Sequence, residues 1–196
     1  MIAVLLITAA YLLGSLSSAI IYCRVMRLPD PRSQGSGNPG ATNVLRFGGK
    51  KAAIIVLLGD LLKGLIPVLL VKLLGFPPIV VAAVAFAAFL GHLYPLFFRF
   101  QGGKGVATAL GALTGLSWAV GGAMVVTWVL MAFLFRLSSL AALIAALLAP
   151  LYVFWLQPGT AYVTASVIMA LLLVLRHRTN INNLIAGTEP KIGKKK

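Results

Sequence analysis

Acidic residues are nearly absent from this chain of 196 residues: Asp30, Asp60 and Glu189 stand against 17 Lys and Arg, a formal net charge of +14. So few carboxylates make a two-metal carboxylate centre implausible, and neither a metal nor another cofactor is expected. The single cysteine, Cys23, excludes an intrachain disulfide, and no Cys/His spacing fits a zinc site. Charged residues of either sign make up only 10% of the chain, where a soluble domain carries about 25%. In their place the composition is 60% hydrophobic, with a mean hydropathy of +1.00. Apolar runs fill most of the length, and each spanning helix needs roughly 20 such residues. The expected fold class is therefore all-α, a polytopic membrane protein forming a single integral-membrane domain over 1–196.

The positions of the basic residues set the expected topology. The first apolar segment, Ile2–Tyr22, is followed rather than preceded by Arg24 and Arg27. It is thus no cleavable signal, and its start is placed outside. A polar loop over Arg24–Lys51, a span at Ala52–Leu74, a turn at Gly75–Pro78 and a span at Ile79–Phe98 are expected next. Val106–Phe135 is too long for one ordinary helix. Breaking it near Gly121-Gly122 keeps Arg136 and the tail inside. With Ser138–Leu156 and Ala161–Leu175 this gives about seven transmembrane helices, the N-terminus outside and the C-terminus cytoplasmic. All of the 17 basic residues except Lys63 and Lys72 then lie inside. Basic residues confined to short loops fit membrane lipids and a negatively charged substrate, and no nucleic-acid partner is expected. The Lys194–Lys196 run reads as a topology and headgroup feature.

Two inner loops have the composition of anion sites. In the first, Gly35, Gly37 and Gly40 permit tight turns and close ligand approach. Successive backbone N–H groups in such turns form a concave nest. Ser36, Asn38, Thr42 and Asn43 add neutral donors, and Arg46 adds a planar fork suited to phosphate. The second reads Gln101-Gly102-Gly103-Lys104-Gly105 immediately before a helix, joining free N–H groups, the helix dipole and one ammonium. It is not a Walker A loop, since Val106 and Ala107 separate Gly105 from Thr108. A flexible loop and a tight turn are the plainer readings of these two stretches. In the tail, His177 and Asn180 stand three apart and would share a helix face. Ser139, alone at a helix start, has the usual position of a cap. Asp60 and Lys63, deep in the second span at i, i+3, would neutralise one another, and His92 is expected to make a helix-packing hydrogen bond.

These motifs, taken in order, resemble a known family. Gly35-Ser-Gly-Asn-Pro-Gly-Ala-Thr-Asn43 with Arg46, Asp60-x-x-Lys-Gly-x-x-Pro67, Gly91-His-x-Tyr-Pro95, Gly102-Gly-Lys-Gly-Val-Ala-Thr108 and His177-Arg-x-Asn-Ile181 are similar to the bacterial acyl-phosphate-dependent glycerol-3-phosphate acyltransferases. The resemblance extends from about Tyr11 to Glu189. It implies a seven-helix inner-membrane enzyme that moves a fatty acyl group from acyl phosphate to the 1-hydroxyl of glycerol 3-phosphate. The products are lysophosphatidic acid and inorganic phosphate. It further implies substrate-binding or catalytic roles for Ser36, Asn38, Arg46, Lys104, Ser139, His177 and Asn180, a structural role for Glu189, and the enzyme that supplies acyl phosphate as a partner. The family pattern has a basic residue where this chain has Gln101 and Asn183, which lowers the charge of the site.

The His-x-x-x-x-Asp motif of other glycerolipid acyltransferases is missing at both His92 and His177, as is the paired-aspartate pattern of phosphatidyl-alcohol transferases. An acyl phosphate is already activated, so direct transfer by positioning and electrostatics is expected. The competing class is a transporter or channel for a phosphorylated anion, for which basic Gly-rich loops and a buried Asp60–Lys63 pair would also serve.

Overall fold

The computed structural model describes residues 1–193, so the Lys194–Lys196 run lies outside the described residues. Among these residues the chain forms helices and no strand: α1 (Ile2–Gly14), α2 (Ser18–Val25), α3 (Ala41–Leu73), α4 (Pro78–Leu93), α5 (Val106–Leu116), α6 (Trp118–Phe135), α7 (Ser138–Leu156), α8 (Thr160–Arg176) and α9 (Arg178–Ile185). A short 3-10 turn, Leu96–Phe98, follows α4.

Four helical stretches are long and apolar enough to cross a membrane: Ala41–Leu73, Pro78–Phe98, Trp118–Phe135 and Ser138–Leu156. Two bent pairs, α1 with α2 at 47° and α8 with α9 at 61°, raise that number to six when each pair is one span. The first apolar run is therefore two helices rather than one. It stops after Gly14, and Ser17 restarts it as an N-cap by accepting the Ile20 N–H at 3.4 Å.

Two other expected boundaries move. The polar loop expected to last until Lys51 is helical from Ala41, because Val44 is fully buried against Ala19, Cys23, Ala52 and Val56. Gly49, at φ 80° and ψ 178°, interrupts this entry helix before the apolar part begins. The break expected near Gly121-Gly122 lies at Ser117, whose extended backbone (φ −156°, ψ 124°) separates α5 from α6. Gly121 stays helical and serves packing instead: a Cβ there would lie 2.1 Å from Thr114 Oγ1.

α5 has 11 residues, a rise of about 16 Å, roughly half of a ~30 Å hydrocarbon core. It lies beside only the later part of α3. An ideal Cβ on Gly64 would stand 2.2 Å from Thr108 O, one on Gly111 2.0 Å from Leu61 O, and one on Gly115 2.9 Å from Val68 Cβ. The two helices thus run side by side in the same direction, from Asp60 onward. Lys72 closes the far end by donating to Leu116 O, a carbonyl at the C-terminus of α5. Gly14 and Gly91 bring α1 and α4 together in the same way, against Ala88 O and Tyr11 O. In lipid, where apolar burial gives helices little reason to associate, this close backbone approach supplies dispersion contact.

The expected Asp60–Lys63 pair is formed. The two are 2% and 5% exposed and 2.9 Å apart, and Lys63 also donates to Leu16 O at 2.8 Å. The hydrogen bond expected of the His92 ring is not made by Nδ1, which faces Asp60 Oδ1 at 3.6 Å. A residue larger than glycine at Gly111 should break the α3–α5 contact. Thermal unfolding in detergent should show Gly111→Val destabilised by about 1–3 kcal/mol. Gly122→Ala, where a Cβ meets nothing within 4 Å, should be neutral or stabilising. Equal melting of the two variants would contradict this packing.

Candidate active site

The second inner loop is shaped by the end of α4. Gly103 donates its N–H to His92 O at 3.2 Å, and a Cβ on Gly102 would lie 2.1 Å from that same oxygen. These glycines are needed for close approach, while Gly105 is needed for its conformation, φ 89°. Arg176, at the end of α8, donates from Nη2 to Gly102 O at 2.9 Å and from Nε to Gly103 O at 3.3 Å. Its guanidinium also lies 5.6 Å from the centre of the Tyr94 ring. The loop is thereby fixed by the ends of both α4 and α8. Gly105 then opens α5 without any side-chain cap, so the first-turn N–H groups have no intrahelical acceptor.

Lys104, held by this loop, donates to Asn180 Oδ1. Asn180 in turn donates from Nδ2 to Glu189 Oε1 at 2.7 Å, and Ser139 Oγ donates to that oxygen at 2.6 Å. One chain of polar contacts therefore joins the second inner loop, α9, the tail and the start of α7. Ser139 lies in the first turn of α7 but is no cap, because its hydroxyl is turned to Glu189 and the N-cap position is Leu137. Burial pushes the Lys104 ammonium below its ordinary value. Glu189 opposes this, while Arg46 and Arg176 add to it.

His177 is 3% exposed and stands between α8 and α9, not within one helix as its spacing from Asn180 implied. Its Nδ1 is 2.8 Å from Leu173 O. A carbonyl only accepts, so Nδ1 bears the proton and Nε2 keeps a lone pair in the neutral ring. Burial is the main cause that lowers its pKa to about 4, with Lys104 and Arg176 also lowering it.

The first inner loop is organised by Asn43. This residue is 2% exposed; its Oδ1 accepts the Ser36 N–H, and its Nδ2 donates to Pro31 O and Gln34 O, each at 2.9 Å. Its polar atoms are thus used to hold the loop, not left free as anion donors. Gly35 is required beside it, with φ 55° and a Cβ position 2.3 Å from Asn43 Oδ1. Gly37 also has positive φ, and Gly40 is the N-cap of α3. Ser36, Thr42 and Arg46 are exposed and Asn38 is half-buried. Among the described residues the Arg46 side chain makes no hydrogen bond, and its charge acts on Lys104. Among the described residues Ser36 and Asn38 make no hydrogen bond to the Lys104–Asn180–Glu189–Ser139 chain. Sequence reasoning missed Arg176, which counted only as one of the basic residues that set the topology. Its contact with Gly102 and Gly103 spans more than seventy positions, and no local pattern announces it.

A ring that is neutral in the fold and titrates near 6.5 when unfolded makes stability pH-dependent. It contributes nothing adverse above pH 6.5. As pH falls from 6.5 towards 4 the unfolded chain takes up a proton that the fold refuses, and stability is lost, by roughly 3 kcal/mol at most. Melting of the purified protein should therefore drop over that window, and His177→Gln should flatten the drop. An unchanged slope in the variant would contradict the buried neutral ring.

A family model described as glycerol-3-phosphate acyltransferase matches residues 4–187. A glycerol-3-phosphate acyltransferase of Thioalkalivibrio sulfidiphilus is 60% identical over 190 residues, covering 97% of this chain and 94% of that protein. One of Methylococcus capsulatus is 59% identical over 193 residues, covering 98% and 97%. Among solved structures, PlsY, an integral membrane glycerol 3-phosphate acyltransferase, superposes in its glycerol 3-phosphate form with a TM-score of 0.94 at 39% identity, covering 98% of this chain and 96% of that one. Its lysophosphatidic acid form superposes with a TM-score of 0.92. With the fold, the loop motifs and these relatives in agreement, the chain belongs to the glycerol-3-phosphate acyltransferase family of integral membrane enzymes.

Proposed function

We propose that this chain transfers a fatty acyl group from acyl phosphate to the 1-hydroxyl of glycerol 3-phosphate, giving lysophosphatidic acid and inorganic phosphate. The observation that supports this most is the contact chain Lys104–Asn180–Glu189–Ser139, which assembles one site around an ammonium from the middle and the C-terminal part of the sequence. The relatives named for glycerol 3-phosphate, and the structure named for lysophosphatidic acid, supply the acceptor and the product.

In this reading Arg46 and Lys104 hold phosphates. The N–H groups of Gly35, Gly102 and Gly105, with Ser36, Asn38 and Thr42, stabilise charge that develops on the acyl oxygen, while Gly37, Gly40 and Gly103 donate to Gln34 O, Asn38 O and His92 O and keep the two loops in shape. Asn43 acts by holding that first loop in shape. His177, Asn180 and Ser139 orient glycerol 3-phosphate. The acceptor hydroxyl oxygen attacks the acyl carbon, the bond from that carbon to the phosphate oxygen breaks, and phosphate departs. The hydroxyl proton passes to the leaving phosphate or to His177 Nε2. No bond to the protein forms.

The fold is read as one membrane domain over 1–196 in the bacterial inner membrane, with seven crossings, the N-terminus outside and the C-terminus cytoplasmic. α5 supports the seventh crossing. Its start lies beside Asp60, partway along α3, so a loop recessed from the cytoplasmic face leaves only the outer half to be crossed. The substrates then meet at the inner face, glycerol 3-phosphate from water and acyl phosphate from the leaflet. A mixed anhydride hydrolyses in water, so the enzyme that makes it is a fitting partner. The transporter alternative is weakened, because the buried Asp60 is paired with Lys63 and faces His92.

Purified protein in lipid, given synthetic acyl phosphate and glycerol 3-phosphate, should release phosphate and form lysophosphatidic acid only when both are present. Lys104→Ala and Arg46→Ala should each lower turnover on the order of 10²–10³-fold. Near-normal turnover in both folded variants would refute the assignment. Labelled glycerol 3-phosphate crossing a sealed vesicle, with no lipid product, would favour transport instead.

A further inference from the structure

A second concentration of positive charge lies outside the Lys104 network and shares no residue with it. A cleft of about 420 Å³ is lined by Arg24, Arg32, Phe97, Phe98, Arg99 and Gln101. Three guanidiniums face it, and the acid beside them is Asp30, which is taken up by Arg32 at 2.7 Å. Arg32 Nη1 also reaches Gln101 Oε1 at 3.5 Å, which ties the first inner loop to the second across the cleft. Among the described residues Arg24 and Arg99 form no ion pair.

The backbone that presents Arg99 is strained. Arg99 and Phe100 both have left-handed φ, 55° and 58°, in a place where neither is glycine. The turn is held by Phe98 and Phe100 N–H groups donating to Pro95 O at 3.1 and 3.0 Å. Strained side-chain-bearing residues of this kind persist where a particular side-chain direction is used. Here the turn sets Arg99 in the cleft and leaves Phe97 and Phe100 more than half exposed beside it. Arg24 closes α2 and Arg99 follows α4, so the cleft opens where apolar helix surface gives way to polar loop. Guanidiniums next to exposed aromatic rings at such a level suit a phosphate oxyanion that has an acyl chain beside it.

From this geometry we infer that the Arg24–Arg32–Arg99 cleft is a second phosphate site, separate from the substrate site, that binds the phosphodiester headgroup of an anionic membrane phospholipid. The site does not depend on the acyl-transfer reading. It gives the enzyme a fixed lipid at the rim of its cytoplasmic loops and anchors the first inner loop against the second.

The test uses the full-length protein in phosphatidylcholine discs doped with phosphatidylglycerol of the same chain length, with bound lipid counted by native mass spectrometry after release into detergent. The double variant Arg24→Gln/Arg99→Gly removes two charges, and glycine at 99 relieves the left-handed turn, so folding is favoured. The wild type should retain phosphatidylglycerol over phosphatidylcholine, and the variant should lose that preference roughly tenfold or more. Acyl transfer in pure phosphatidylcholine should stay unchanged in the variant, which separates loss of the site from loss of the fold. Saturating glycerol 3-phosphate should leave the retained lipid in place. Equal preference in wild type and variant would overturn the inference, as would displacement by glycerol 3-phosphate. Displacement by inorganic phosphate at the same concentration as the lipid would assign the cleft to free phosphate and overturn its lipid identity.

Discussion

Lys104 is the group on which the rest of the arrangement turns. A lone ammonium drawn into the fold is costly to desolvate, and here it is held by Asn180, whose amide is held by Glu189. To reach that position the loop must leave the end of α4 closely, which excludes side chains at Gly102 and Gly103. It must also start α5 beside Asp60, which makes α5 short. A short helix needs its last carbonyls satisfied within the bundle, and Lys72 does this at Leu116. The glycines facing α3 and α5 and the Lys72 cap are thus consequences of one placement.

Much of this was legible in residue order because the chemistry is local. Glycines next to a lysine before a helix, and an acid and a base at i, i+3, need no tertiary information, and the span Ser138–Leu156 matches α7 at both ends. The failures share a cause too. The first inner loop looks flexible by composition, yet buried Val44 makes its later part helical and buried Asn43 folds its earlier part. The break in 106–135 falls at Ser117, an ordinary residue, while the more suggestive Gly121 is consumed by packing on Thr114. Arg176 and Ser139 have partners remote in sequence, so a topology charge and a cap were the natural local readings.

The scarcity of acids acquires a physical meaning in this setting. Both proposed substrates carry phosphate, and each carboxylate near the site would repel them. Glu189 is tolerated because Oε1 is taken by Ser139 and Asn180, and Asp60 because its carboxylate is paired with Lys63 and faces His92. With an activated donor, a site made of cations, N–H groups and one neutral histidine has enough chemistry for acyl transfer without a protein nucleophile.

The proposed transfer without a covalent step is the central claim, and intact-mass spectrometry tests it most directly. Protein shown to be active is mixed with acyl phosphate alone, glycerol 3-phosphate withheld, and quenched over a time course. Direct transfer predicts a chain of unchanged mass, 20.7 kDa, at every time point. A chain heavier by one acyl group, which then clears with lysophosphatidic acid formation when glycerol 3-phosphate is added, would contradict it.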